Sequence, residues 1–120
     1  MKNILDYLNK VDANPIFMFE GKEYKIKKDY KITLFLQEEQ KKIDKSKRTD
    51  EDFDEVNAQF KLIMKFFEMA VSKEFVKALD SVDMNEEELM FVFQYIVNKR
   101  AGMTDEEAAA KAMEKDLKNE

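Results

Sequence analysis

The chain has 120 residues, 44 % apolar and 39 % charged, with a net charge of −5. That is enough for one domain, expected to span 1–120, and it is too apolar for a disordered chain. With no Cys and no His, disulfides, Cys/His zinc sites and imidazole-based catalytic triads are excluded by inventory.

The N-terminal MKNILDYLNKV puts Ile4, Leu5, Leu8 and Val11 on one face at helical spacing. Residues 1–15 therefore read as a short helix or an arm, which would be marginal in isolation, ended by Asn14-Pro15. Acids and amides stand where a signal sequence needs an unbroken apolar core. No run approaches the length of a membrane span, so a soluble intracellular protein is expected.

Residues 16–28 read as a hairpin. Ile16, Phe17, Met18 and Phe19 form an apolar run, and Glu20-Gly21-Lys22 is a turn in which glycine can take positive φ. In Glu23-Tyr24-Lys25-Ile26-Lys27 the period of two puts Tyr24 and Ile26 on one face and charges on the other. A lone hairpin is marginal in water, so that face must cover something.

Helical spacing follows in Ile32, Phe35, Leu36 and Ile43, with a helix expected from about Thr33. The β-branched start KITLFL leaves a further strand as the alternative. DKSKRTDED reads as a polar linker, with Thr49 and Asp52 as an approximate N-cap signal. Phe53, Val56, Phe60, Ile63, Met64, Phe67 and Val71 make the clearest helical stripe. Ser72 either caps a further helix with Phe75, Val76 and Leu79 inward, or the two helices run on with a kink. Asp83-Met84-Asn85 breaks the pattern, and Asn85 with Glu88 is a capping-box pair. Leu89, Met90, Phe93, Ile96 and Val97 form a second stripe, stopped at Gly102. The helical core is thus expected over 33–101. Thr104 and Glu107 open a C-terminal helix or tail over 104–118, whose apolar face is alanine with Met113 and Leu117. The fold class is α+β: a small, mainly helical domain with an N-terminal hairpin on three or four helices.

Chemistry is scarce in this inventory. The acids Asp50, Glu51, Asp52, Asp54 and Glu55 read as the first turn of a long helix, where carboxylates are favoured. Glu86 to Glu88 and Asp105 to Glu107 repeat the arrangement, so helix starts explain them better than a metal or a general acid. The glycines, Gly21 and Gly102, are too far apart for a phosphate loop. No catalytic residue, cofactor or metal site is expected, and the chain is not expected to be an enzyme.

Charge is distributed unevenly. Residues 20–49 hold ten Lys/Arg against six acids, and residues 50–120 hold nine against eighteen. The basic run from Lys22 to Arg48 contains nine Lys and one Arg with acids interleaved, which suits a wet hairpin and helix face better than base reading. A dipolar chain of this kind suits protein partners or self-association.

The strand, the turn Glu20-Gly21-Lys22-Glu23-Tyr24 and the lysine-alternating strand come first. The helices DFDEVNAQFKLIMKFFEMAVSKEFVKAL and DMNEEELMFVFQYIVNKR follow, and AGMTDEEAAAKA closes the chain. In this order the chain resembles the tail assembly chaperones of long-tailed, siphovirus-like bacteriophages and prophages of Gram-positive bacteria, over most of its length from about Ile16. The resemblance implies a non-enzymatic chaperone in the host cytoplasm, absent from the mature virion. It would bind the tape measure protein while tube subunits polymerise, with the tail tube protein as a second candidate partner and homo-oligomers as an open option. Candidate partner-binding residues are Phe17, Phe19, Phe60, Met64, Phe67, Met90 and Phe93, from the two stripes and the hairpin. They also compete for the core. Alternatives are a small protein-binding adaptor, a virion tail component, or a nucleic-acid-associated regulator.

Overall fold

Alternating polarity around a glycine turn, followed by long stretches free of Gly and Pro, sets the order of elements. The computed structural model describes residues 3–4 and 15–118, the side chains of 115–118 excepted. The hairpin is β1 (Ile16–Phe19) and β2 (Lys22–Lys25), and five helices follow: α1 (Tyr30–Thr49), α2 (Glu55–Ala70), α3 (Lys73–Asp80), α4 (Glu86–Arg100) and α5 (Asp105–Lys118). The expected N-terminal helix or arm over 1–15 lies outside the described residues but for Asn3, Ile4 and Pro15.

The strands pair antiparallel with Phe17 opposite Tyr24 and Phe19 opposite Lys22. Both loop residues have positive φ, Glu20 at 50° and Gly21 at 75°, the primed turn whose twist matches a two-residue hairpin. Phe17, Tyr24 and Ile26 are buried and Met18 is exposed, as a period of two requires. Ile26 N–H donates to Pro15 at 2.8 Å, and Lys27 N–H donates to the Ala70 carbonyl at 2.7 Å. The second bond gives a partner to a carbonyl that the end of α2 leaves open.

The hairpin's apolar face covers α3. The buried ring of Phe75 meets Phe17 at 5.1 Å, Tyr24 at 5.3 Å, Phe19 at 5.4 Å and Phe67 at 5.5 Å, all in edge contacts. Phe66 and Phe67 carry the cluster on to Phe93 of α4, at 5.2 and 6.4 Å. Edge-to-face geometry suits ring quadrupoles and adds to the burial of apolar area.

Three expectations about α1 and the approach to α2 are corrected. Helix α1 starts at Tyr30 rather than about Thr33, because Asp29 caps it by accepting from Lys31 N–H at 2.9 Å. DKSKRT is the end of that helix, for it holds neither Gly nor Pro and its lysines favour a helix C-terminus. The cap of α2 is Asp54, accepting from Asn57 N–H at 3.0 Å, in place of Thr49 with Asp52. Accordingly Asp50, Glu51 and Asp52 occupy the connection, where Asp50 Oδ1 accepts from Asp52 N–H at 3.0 Å, and only Glu55 of that acidic run lies in the first turn.

Ser72 caps a separate α3, accepting from Phe75 N–H at 3.1 Å, so α2 and α3 do not run on. Asn85 and Glu88 form the capping box of α4. At its other end Met103 N–H reaches the Asn98 carbonyl and Gly102 N–H that of Lys99. With Gly102 at φ 98°, this is the Schellman closure.

The alanine face of α5 packs on α4, with Ala108 and Ala112 buried and Met113 exposed. Asn98 Nδ2 donates to the Ala108 carbonyl at 3.1 Å, and Asp105 Oδ1 accepts from Lys99 Nζ at 2.6 Å and Tyr95 OH at 2.7 Å. Leu117, expected on the same face, lies outside the described side chains. No helix among the described residues is long and apolar enough to cross a membrane.

Candidate functional site: an acid-rimmed apolar groove

Helix α2 carries more apolar residues than one face can hold, and this surplus lines a large concavity. Its buried residues are Leu62, Ile63, Phe66, Phe67 and Ala70, while Val56 is 70 % and Phe60 49 % exposed. The N-terminal turns of α2 therefore leave an apolar strip outside the core. The N-terminal turns of α4 stand beside it with Met90, itself 40 % exposed.

Between them runs a groove of about 700 Å³. Val56, Phe60, Ile63, Met84, Leu89 and Met90 make its apolar surface, and Asn57, Gln59 and Asn85 add neutral polar groups. Asp54, Glu55 and Glu86 supply the charge, and among the described residues no Lys or Arg lines it. Glu55 meets one cation from the side, Lys47 Nζ at 3.3 Å. The sign of the rim follows from local folding: two helices begin here, and acids are favoured at helix starts.

The seven residues singled out in the sequence divide into three groups. Phe17 and Phe67 are 6 % and 0 % exposed, so both are core residues and offer no surface to a partner. Their place is set by the Phe75 cluster, which closes only when these rings turn inward. Phe19, Met64 and Phe93 are half-buried against the same core. Phe60 and Met90 alone are exposed, and the structure brings these two together in the groove. Val56 and Met84 were missed as site residues. In sequence Val56 belongs to the helical stripe with Phe60, and Met84 to the break before α4. An excess of apolar positions on one helix was the available signal.

The groove holds little reactive chemistry. Among the described residues, no group of three His, Cys, Asp or Glu could hold a metal ion, and no buried side-chain N or O lacks a hydrogen-bond partner. The displaced ionisable groups lie elsewhere. Lys22 is raised and Glu74 lowered, chiefly by their mutual hydrogen bond at the hairpin. Tyr95 is raised by burial and then by Asp105, and Asp105 is lowered by hydrogen bonds from Lys99 and Tyr95.

A second concavity of about 400 Å³ lies between α1 and α2, floored by Phe35, Ile43 and Leu62 and edged by Lys42, Lys61, Lys65 and Glu39. Within the basic run Lys41, Lys45 and Arg48 line one concavity with Asp44 and Thr49, while other lysines are paired. Lys22 pairs with Glu74 on α3, and Lys42 with Glu39 at 3.1 Å.

No family model matches the chain, and no curated protein or solved structure matches it either.

Proposed function

We propose that this protein is a non-enzymatic binding protein that holds an apolar helix of a client in the groove between α2 and α4. The client helix would carry Lys or Arg beside its apolar stripe. The observation that carries this reading is the pairing of exposed Phe60 and Met90 in an apolar groove whose charged groups are all acidic. An amphipathic helix reads such a surface through side chains three and four positions apart. Basic flanks would be drawn to Asp54, Glu55 and Glu86, which favours encounter and register more than final affinity.

Together with the resemblance in element order, the groove supports a tail assembly chaperone whose client is the long, helical tape measure protein. Synthesis in the bacterial host cytoplasm and absence from the finished particle belong to the same reading.

Co-expression with the tape measure and tail tube proteins of a long-tailed phage of that kind, followed by affinity capture at moderate salt, tests the proposal. A stable complex with the tape measure protein that is lost in Phe60→Asp and Met90→Asp, with both variants folded, is the expected result. Failure of the folded protein to retain the soluble tape measure protein would overturn the client. Retention undiminished by both substitutions would overturn the groove.

A further inference from the structure

Helix α2 separates two concavities whose charged rims differ in sign. On the α4 side the charges are Asp54, Glu55 and Glu86. On the α1 side they are Lys42, Lys61 and Lys65, with Glu39 as the acid. Two helix starts explain the acids, but no helix end explains the lysines of α2. Lys61 and Lys65 stand in the middle of that helix, and its last turn, where cations are favoured, holds no basic residue.

The floor between α1 and α2 is apolar and partly open. Ile43 and Leu62 are buried there, while Phe35 and Phe53 are only half-buried. On α1 the lining runs from Phe35 to Ser46, about 16 Å along the axis, so an elongated occupant fits better than a compact ligand. The two banks differ in charge. Lys42 on the α1 bank is held by Glu39 at 3.1 Å, which leaves that bank near neutral. On the α2 bank Lys61 and Lys65 lie one turn apart on one face. Lys65 meets Glu68 only at 3.7 Å with its side chain 55 % exposed, and among the described residues no acid is paired with the exposed Lys61.

We propose that the groove between α1 and α2 binds an acidic amphipathic helix of another protein. Its apolar side chains would lie on Phe35 and Phe53, and carboxylates four positions apart would face Lys61 and Lys65. The like-charged pair on one bank sets the direction in which the acids must point, which serves register and selectivity more than raw affinity. Helix α2 thus has two docking faces that select helices of opposite charge, and one molecule can bridge a basic helix and an acidic one. The inference rests on the α1–α2 surface alone and holds whatever fills the groove on the α4 side.

Two capped synthetic peptides of about four helical turns test it by NMR titration into the isotope-labelled full chain at moderate salt. One carries leucines at three- and four-residue spacing flanked by glutamates four apart, and the other has lysine for every glutamate. The glutamate peptide is expected to shift the signals of Phe35, Phe53 and Leu62 and to leave those of Phe60 and Met90. Lys61→Glu/Lys65→Glu should weaken it by roughly tenfold or more and give that groove to the lysine peptide instead. Far-UV circular dichroism checks folding, and Lys61→Gln/Lys65→Gln, which should also weaken the glutamate peptide, replaces the reversal if it unfolds. No binding of the glutamate peptide, binding at Phe60 and Met90, or binding indifferent to these substitutions would overturn the proposal. Shifts of the same residues with rising protein concentration and no peptide would assign the groove to a second copy. The same shifts from dodecanoate at lower concentration than from the peptide would assign it to a small anionic amphiphile, and either result would overturn the helix as occupant.

Discussion

Arg100 Nε donates to the Lys27 carbonyl at 2.9 Å, joining the end of α4 to the strand exit 73 positions earlier. The same guanidinium donates from Nη2 to the Asp29 carbonyl at 2.9 Å and from Nη1 to Thr33 Oγ1 at 3.3 Å. It also lies over the Phe66 ring, 5.9 Å from the centroid. One planar cation thus holds the connection from the hairpin to α1 against the core, and burial lowers its pKa against an opposing pull from Asp29. Hydrogen bonds to a charged group contribute about 1.5–3 kcal/mol each, less where water competes. We expect Arg100→Ala to cost about 2–3 kcal/mol in urea unfolding. Arg100→Lys should recover less than half, because an ammonium cannot reproduce the fork. Equal stability of the lysine variant and wild type would show that charge alone matters.

The two apolar populations of the long helices should respond differently to truncation. Phe75 touches four other rings with no exposure, so Phe75→Ala should cost about 3–5 kcal/mol. Phe60→Ala, on a ring already half in water, should change stability by less than about 1 kcal/mol. Denaturant midpoints at constant slope measure both. A large loss at Phe60 would mean that the groove is part of the core.

The hairpin turn carries a correctable cost. Glu20 is the non-glycine residue with positive φ among those described, beside Gly21 at 75°. Asn tolerates that region better than Glu, so Glu20→Asn is expected to raise stability by about 0.5 kcal/mol. Gly21→Ala should lower it by about 1 kcal/mol for backbone reasons alone, since a Cβ there meets no atom within 4 Å. Thermal melting of the two variants in opposite directions is the expected outcome, and a shared direction would contradict the turn geometry.

Stability should also bend at both ends of the pH scale through the α4–α5 junction. Lys99 and Tyr95 hold the Asp105 carboxyl below its usual range. Its contribution is therefore complete above the unfolded value of about 3.9 and is lost as pH falls through the lower folded value. Asp105 is 66 % exposed, so solvent screening limits the effect to less than about 1 kcal/mol. Tyr95 is shifted upward, first by burial. Its contribution is complete below the unfolded value of about 10 and is lost as pH rises beyond it, because the unfolded chain releases that proton first. Asp105→Asn should flatten the acid limb and Tyr95→Phe the alkaline limb of unfolding free energy against pH. An acid limb unchanged by Asp105→Asn would place the linkage in another carboxylate.

Local signals determined much of this protein. The period of two around Gly21 specified the hairpin and its inward residues. Asn85 with Glu88, and Gly102, marked helix ends through bonds made within a few residues, while Ser72 left a cap and a continuous kinked helix both open. These features need no distant partner, so they are readable along the chain. The start of α1 is local as well, since Asp29 caps it through Lys31 N–H, but the β-branched run that follows points to a later start.

Which side of α2 turns inward was decided only by tertiary structure. Val56, Phe60, Leu62, Ile63, Met64, Phe66 and Phe67 cover more of that helix than one face, and periodicity alone cannot choose between overlapping stripes. Phe75, Phe93 and α1 cover Leu62, Phe66 and Phe67, leaving Val56 and Phe60 beside Met90. Burial is shared among elements far apart in sequence, so the residues left over, which form the candidate site, are defined only once the core has been filled.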